Sequence, residues 1–152
     1  MTWTLAVFDF KGEPPPARAS FEAAGYTPPV MGSRATIQNA ISSVWDGINW
    51  QALDIFLERS DVAIKIYLAP HTASSVQSKA DMISCVLLNV GYGAGTNPYP
   101  YLEALCEATG WTVYDTEINA FLQFPNPNQA GLNAMQDKAA RTLGERQPFG
   151  QS

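Results

Sequence analysis

Leu53-Asp54-Ile55-Phe56-Leu57-Glu58-Arg59-Ser60-Asp61-Val62-Ala63-Ile64-Lys65-Ile66-Tyr67-Leu68 is the stretch whose pattern decides the fold class. In its first half, Leu53, Ile55 and Leu57 alternate with Asp54, Phe56 and Glu58. In its second half, Val62, Ile64, Ile66 and Leu68 alternate with Ala63, Lys65 and Tyr67. Successive side chains of an extended chain point to opposite faces, so this period of two specifies strands with one covered face. Arg59-Ser60-Asp61 lies between the runs and reads as the turn of a hairpin. The spacing predicts an antiparallel pair over 53–58 and 62–68, with Leu53, Ile55, Leu57, Val62, Ile64 and Ile66 turned toward helices.

Helices able to supply that cover stand on either side. Ile37, Ala40, Ile41, Val44 and Ile48 recur three and four residues apart behind Ser33, which suits a cap. This predicts a helix over 34–45, ended by Asp46-Gly47. Leu132, Met135, Ala139 and Leu143 form the stripe of a second, over 129–143. A third has Leu102, Leu105 and Cys106 inside, Asn97 as cap, Pro98 at its first position and Gly110 at its close. A short helix over Ala17–Ala24, with Gly25 as its C′ residue, sits within a Pro-rich loop at 12–29.

Further strands read over 3–10, 111–115 and 120–124. Met82–Val90 is apolar on both parities apart from Ser84 and Asn89, which is the pattern of a central strand covered on both faces. Trp111, opening a strand behind Gly110, reads as a buried anchor. The order of elements indicates α+β: a mainly antiparallel sheet of five to six strands with three to four helices packed on it. A length of 152 residues fits a single domain over 1–152 with a frayed tail at 144–152.

Hydrophobic residues make up 46% of the chain and charged residues 15%, which supports a packed core and excludes global disorder. Fourteen acidic against nine basic residues give a net charge of -5, which argues against nucleic acid as a partner. No apolar run approaches the ~20 residues that span a bilayer, so no membrane association is expected. Met1-Thr2-Trp3-Thr4 has no basic region ahead of its apolar stretch, and two cysteines make no disulfide framework. Together these read as a cytoplasmic chain.

Candidate chemistry is sparse. The single histidine, His71, lies beside no nucleophile signature; Ser74-Ser75 sits in a small polar loop. One His and two separated Cys cannot build a soft metal site, and Asp54, Glu58 and Asp61 have no calcium-loop spacing. Asp9 ends an apolar strand as an aspartate-nucleophile phosphatase would require, but the acid/base position two residues on is Lys11. Gly91-Tyr92-Gly93-Ala94-Gly95 precedes a helix, and the reading of a phosphate cradle for a nucleotide or other small molecule stays open there. It lacks the Lys-Ser/Thr of a P-loop. Glu103 with Glu107, which have no basic partner on their helix, and Asp115 with Glu117 near a strand end are paired carboxylates, and nothing selects catalysis for them. No catalytic residue, metal or cofactor is expected.

The stretch from Met82 to Phe124 runs strand, Gly-rich turn, Asn97-Pro98-Tyr99-Pro100-Tyr101 helix, then Gly110-Trp111-Thr112-Val113-Tyr114-Asp115 into a strand pair. In this it resembles the back half of small α+β immunity proteins of bacterial polymorphic-toxin and type VI secretion systems. The resemblance implies a non-catalytic inhibitor that occludes a toxin's active site. An inhibitor of a host defence enzyme, carried by a phage or mobile element, would use the same physics.

An acidic inhibitor is steered toward the basic clefts of enzymes that act on nucleic acids or nucleotides. Up to residue 135 the chain carries twelve acidic residues against six basic ones. The partner-binding residues expected on this reading are Tyr92, Tyr99 and Tyr101 as aromatic anchors, with Asp54, Glu58, Asp61, Glu103 and Asp115 as the acidic contacts. The composition leaves the oligomeric state open.

Overall fold

The computed structural model describes residues 2–70, 82–91 and 96–145. It is α+β, with an open antiparallel sheet and four helices among the described residues. The strands are β1 (Thr2–Phe8), β2 (Gly32–Ser33), β3 (Phe56–Glu58), β4 (Ala63–Pro70), β5 (Met82–Gly91), β6 (Thr112–Asp115) and β7 (Ala120–Leu122). The helices are α1 (Arg18–Phe21), α2 (Arg34–Ser42), α3 (Tyr99–Thr109) and α4 (Ala130–Glu145). The sheet order is β3-β4-β5-β1-β6-β7, every pair antiparallel. β2 pairs with the start of β5, in the lane that β1 leaves when it ends at Phe8.

The hairpin expected from alternation is present as β3 and β4, with Phe56 opposite Lys65 and Glu58 opposite Ala63. Ile66 N–H donates to Ile55 O at 2.8 Å and carries the ladder one residue beyond β3. Leu57, Val62, Ile64, Ile66 and Leu68 are buried, and Ile55 packs against the same core. Leu53 is the correction. It is 99% exposed, because residues 51–54 form turns and bends before the strand begins.

One face of the sheet carries the main core. Trp3, Leu5 and Val7 of β1, Leu88 and Val90 of β5, and Val113 of β6 meet Ile37 and Ile41 of α2, Leu102 and Leu105 of α3, and Leu132 and Met135 of α4. A helix with one apolar stripe gains most by laying it on such a face, since each fully buried large side chain contributes about 1.5–3 kcal/mol. α2 starts as expected, with Ser33 Oγ accepting from Thr36 N–H at 3.2 Å, but ends at Ser42; Trp45 is buried just beyond it. α4 runs two residues past the expected end, so residues 144 and 145 are helical.

The opposite face holds a second, smaller cluster of Ala6, Phe8, Phe10 and Tyr114, with Phe21, Cys85, Leu87 and Phe121 against it. This explains why β5 is apolar on both parities: it is central and contributes to both clusters. β5 also carries a register shift, since Ala69 faces Cys85 whereas Pro70 faces Ile83. The extra residue returns Ile83 and Val86 to the same core despite their odd separation. The cover on this second face comes from the 12–29 segment. There α1 is a single turn, shorter than expected, and Gly25 lies three residues beyond its C-cap Glu22. Phe21 reaches the rings of Phe8, Tyr114 and Phe121 at centroid distances of 5.3, 4.8 and 5.0 Å.

Candidate functional site

Alternation along β3 and the residues before it places Asp54, Phe56 and Glu58 on one side of the chain, with Ile55 and Leu57 turned to the core. Asp54, Phe56 and Glu58 line a depression of about 250 Å³ together with Gly47, Asn49 and Ala52. Lys65, opposite Phe56, reaches back to Asp54 Oδ1 at 3.3 Å. Tyr67, two residues further along β4, is on the same face and 54% exposed. Phe56 is 37% exposed. With Leu53, these are the large hydrophobic side chains that stand exposed among the described residues, and all three belong to the β3–β4 edge. The 12–29 segment packs at the β1–β6–β7 side of this face and leaves the β3–β4 side open.

The turn after β3 is tied into the rest of the fold. Arg59 N–H donates to Val62 O at 2.9 Å, and the Arg59 guanidinium donates to Asp46 Oδ1 at 2.7 Å. Tyr101, in the first turn of α3, donates its hydroxyl to Asp61 Oδ1 at 2.7 Å. That bond to a carboxylate holds the Tyr101 phenol above its ordinary pKa, because ionising it would set two anions against each other. Trp45 Nε1–H donates to Tyr101 O at 3.0 Å, so α3, the end of α2 and the hairpin turn meet at one residue. Asp61 and Tyr101 are thus joined at the hairpin turn that follows Glu58, whereas Asp54 lies before the other end of β3.

Other expected contact residues separate from this group. Tyr99 is buried: its ring packs on Trp3 at 5.8 Å and its hydroxyl donates to Asn128 O at 3.0 Å. Burial pushes its phenol up to about 12. Asp115 is wholly buried, accepting at Oδ1 from Trp3 Nε1–H and from Glu117 N–H, both at 2.9 Å. Neither side chain can present itself to a partner, and both are corrections to the expected contact set. Glu103 is partly exposed on α3. Tyr92, the glycines at 93 and 95, and His71 lie outside the described residues. α3 itself begins one residue later than expected, with Pro98 at the N-cap and Asn97 Oδ1 accepting from Tyr99 N–H at 3.0 Å.

Burial pushes both thiols, Cys85 and Cys106, up to about 12, which keeps them protonated at neutral pH and poor nucleophiles. Among the described residues no group of three His, Cys, Asp or Glu side chains could hold a metal ion. No helix among them is long and apolar enough to cross a membrane. Sequence reasoning turned Leu53 toward the helices, and it placed Phe56 and Tyr67 on the uncovered face without counting them as contact residues. The alternation at 53–58 named the polar face correctly, and Phe56 on that face was the available signal. Comparison of the chain with protein-family models, curated proteins and solved structures gives no match.

Proposed function

We propose that this chain is a non-catalytic binding protein that works as an immunity protein does, by covering the active-site cleft of a basic toxin. The observation that carries the reading is the exposure of Leu53, Phe56 and Tyr67 along the same hairpin segment that carries Asp54, Glu58 and Asp61. Exposed apolar side chains rimmed by charge are the composition of an interface, with apolar and aromatic anchors at its centre. The carboxylates add steering toward a cationic partner. Tyr101, bonded to Asp61, extends the surface at the hairpin turn.

The test is co-expression with the product of the neighbouring open reading frame, followed by co-purification and a toxicity assay. The expected result is a stable complex that neutralises the partner. Reversing charge at Asp54, Glu58 and Asp61 together slows association and flattens its salt dependence. A partner indifferent to all three changes, or a substrate that this chain alone converts, overturns the proposal.

A further inference from the structure

Resting on that reading, we infer that the depression beside β3 is a socket for an arginine side chain of the protein partner. Its lining includes an acid–aromatic–acid series at alternate positions of the chain, Phe56 and Glu58 on β3 and Asp54 in the bend just before it. The Phe56 ring and both acidic residues therefore border the same depression. A planar guanidinium lying on that ring can donate to both acids at once, using the same geometry for stacking and for hydrogen bonding. An ammonium is a compact point charge and cannot do both.

The remaining lining, Gly47, Asn49 and Ala52, is small and carries no basic group. The volume of about 250 Å³ lies below the roughly 300–1,000 Å³ of small-molecule pockets, which suits a single side chain better than a cofactor. Of the nearby cations, Arg59 is engaged elsewhere and Lys65 pairs with one of the two acids. Arg59 donates to Asp46 Oδ1 at 2.7 Å, Asp46 O at 2.8 Å and Glu58 O at 2.9 Å, so its guanidinium is held by backbone and by Asp46. Lys65 takes Asp54 from the β4 side at 3.3 Å. Glu58 makes no ion pair among the described residues. It is the acid with the most to gain from an incoming guanidinium, and Asp54 shares its charge with Lys65.

The experiment is a titration of the ¹⁵N-labelled full chain with N-acetyl-arginine methylamide, followed by amide shifts. Parallel titrations use the lysine and the citrulline counterparts, citrulline being the uncharged isostere. The expected result is saturable shifts at Asn49, Ala52, Asp54, Phe56 and Glu58 with arginine, weaker ones with lysine and none with citrulline. Glu58→Gln should weaken arginine binding about tenfold, as the loss of a charge-assisted hydrogen bond does. Phe56→Leu should abolish the preference for arginine over lysine. Citrulline shifts equal to those of arginine, shifts confined to other parts of the chain, or no shift up to the solubility limit overturn the socket. If the socket fails while charge reversal at Asp54, Glu58 and Asp61 still weakens the co-purified complex, only the socket is lost. If the complex ignores those changes, the wider reading is lost as well.

Discussion

Trp3 Nε1–H donates to Asp115 Oδ1 at 2.9 Å, a bond between β1 and β6 that forms out of reach of water. The same oxygen accepts from Glu117 N–H, whereas Oδ2 has no hydrogen-bond partner among the described residues. Desolvation dominates the balance and holds the Asp115 carboxyl above its ordinary value of 3.8, against the lowering effect of its donors. A carboxyl whose folded-state pKa is raised binds its proton more tightly when folded. Its favourable contribution is complete below the unfolded value and is lost as pH rises through the folded value. Asp115→Asn keeps an oxygen acceptor for Trp3 and removes that titration. Urea unfolding across acid to neutral pH should show wild type losing stability relative to the variant as pH rises through this range. A constant difference at all pH values would contradict the assignment.

Asp115 also fixes a residue on α4. A Cβ built on Gly131 would collide with Asp115 Oδ2, so the first turn of α4 packs directly over the carboxylate. In an exposed helix, alanine is the better residue by about 1 kcal/mol. Here overpacking opposes that gain, and Gly131→Ala should destabilise by about 1–3 kcal/mol. Denaturant midpoints of Gly131→Ala in wild type and in an Asp115→Ala background measure the coupling. The penalty should shrink once the carboxylate is gone, and an unchanged penalty would place the strain elsewhere.

Those two residues show where the sequence stops being legible. The hairpin, β5 and the stripes of α2 and α4 follow from periodicity, because each repeats a local signal over many positions. Asp115 carries no such signal. Its burial depends on β6 lying beside β1 and on Gly131 arriving from a helix that starts fifteen residues later. Tyr99 is likewise buried by Trp3 and Phe124, both distant in sequence. At the candidate site, alternation distinguishes Asp54 and Glu58 from Leu57, but the bend at 51–54 that turns Leu53 outward breaks the pattern without announcing itself.

The segment between β1 and β2 is held at its two ends by Phe10, buried against Phe8 and Phe121, and by Met31, whose N–H donates to Ile83 O at 2.7 Å. Between them Phe21 anchors the 12–29 stretch on the sheet face, with Tyr26 5.3 Å from its ring and the Tyr114 hydroxyl donating to Glu22 Oε1 at 3.2 Å. Phe21 is half-buried, so Phe21→Ala should cost about 1–2 kcal/mol, short of the roughly 3–5 kcal/mol of a fully buried ring. The larger effect should be local. Lys11 and Arg18 lie on exposed backbone in this segment, and trypsin should cut there much faster in the variant while the remaining core stays intact. Cleavage at the wild-type rate would mean that contacts other than Phe21 hold the segment down.

Leu53 and Phe56 separate an interface from a merely imperfect surface. A residue as exposed as Leu53 contributes little to folding, and truncating it should leave stability within about 0.5 kcal/mol. Phe56 lies opposite Lys65 and is 37% exposed, so Phe56→Thr, which replaces the ring with a β-branched side chain suited to a strand, is the appropriate change. The double variant Leu53→Asn with Phe56→Thr should therefore melt close to wild type. Its affinity for the co-purified partner should nevertheless fall at least tenfold, because central apolar anchors dominate binding energy. The loss should appear mainly in the dissociation rate, with association still steered by Asp54, Glu58 and Asp61. Surface plasmon resonance at two salt concentrations separates the two effects. Unchanged dissociation in the double variant would show that the apolar edge lies outside the contact.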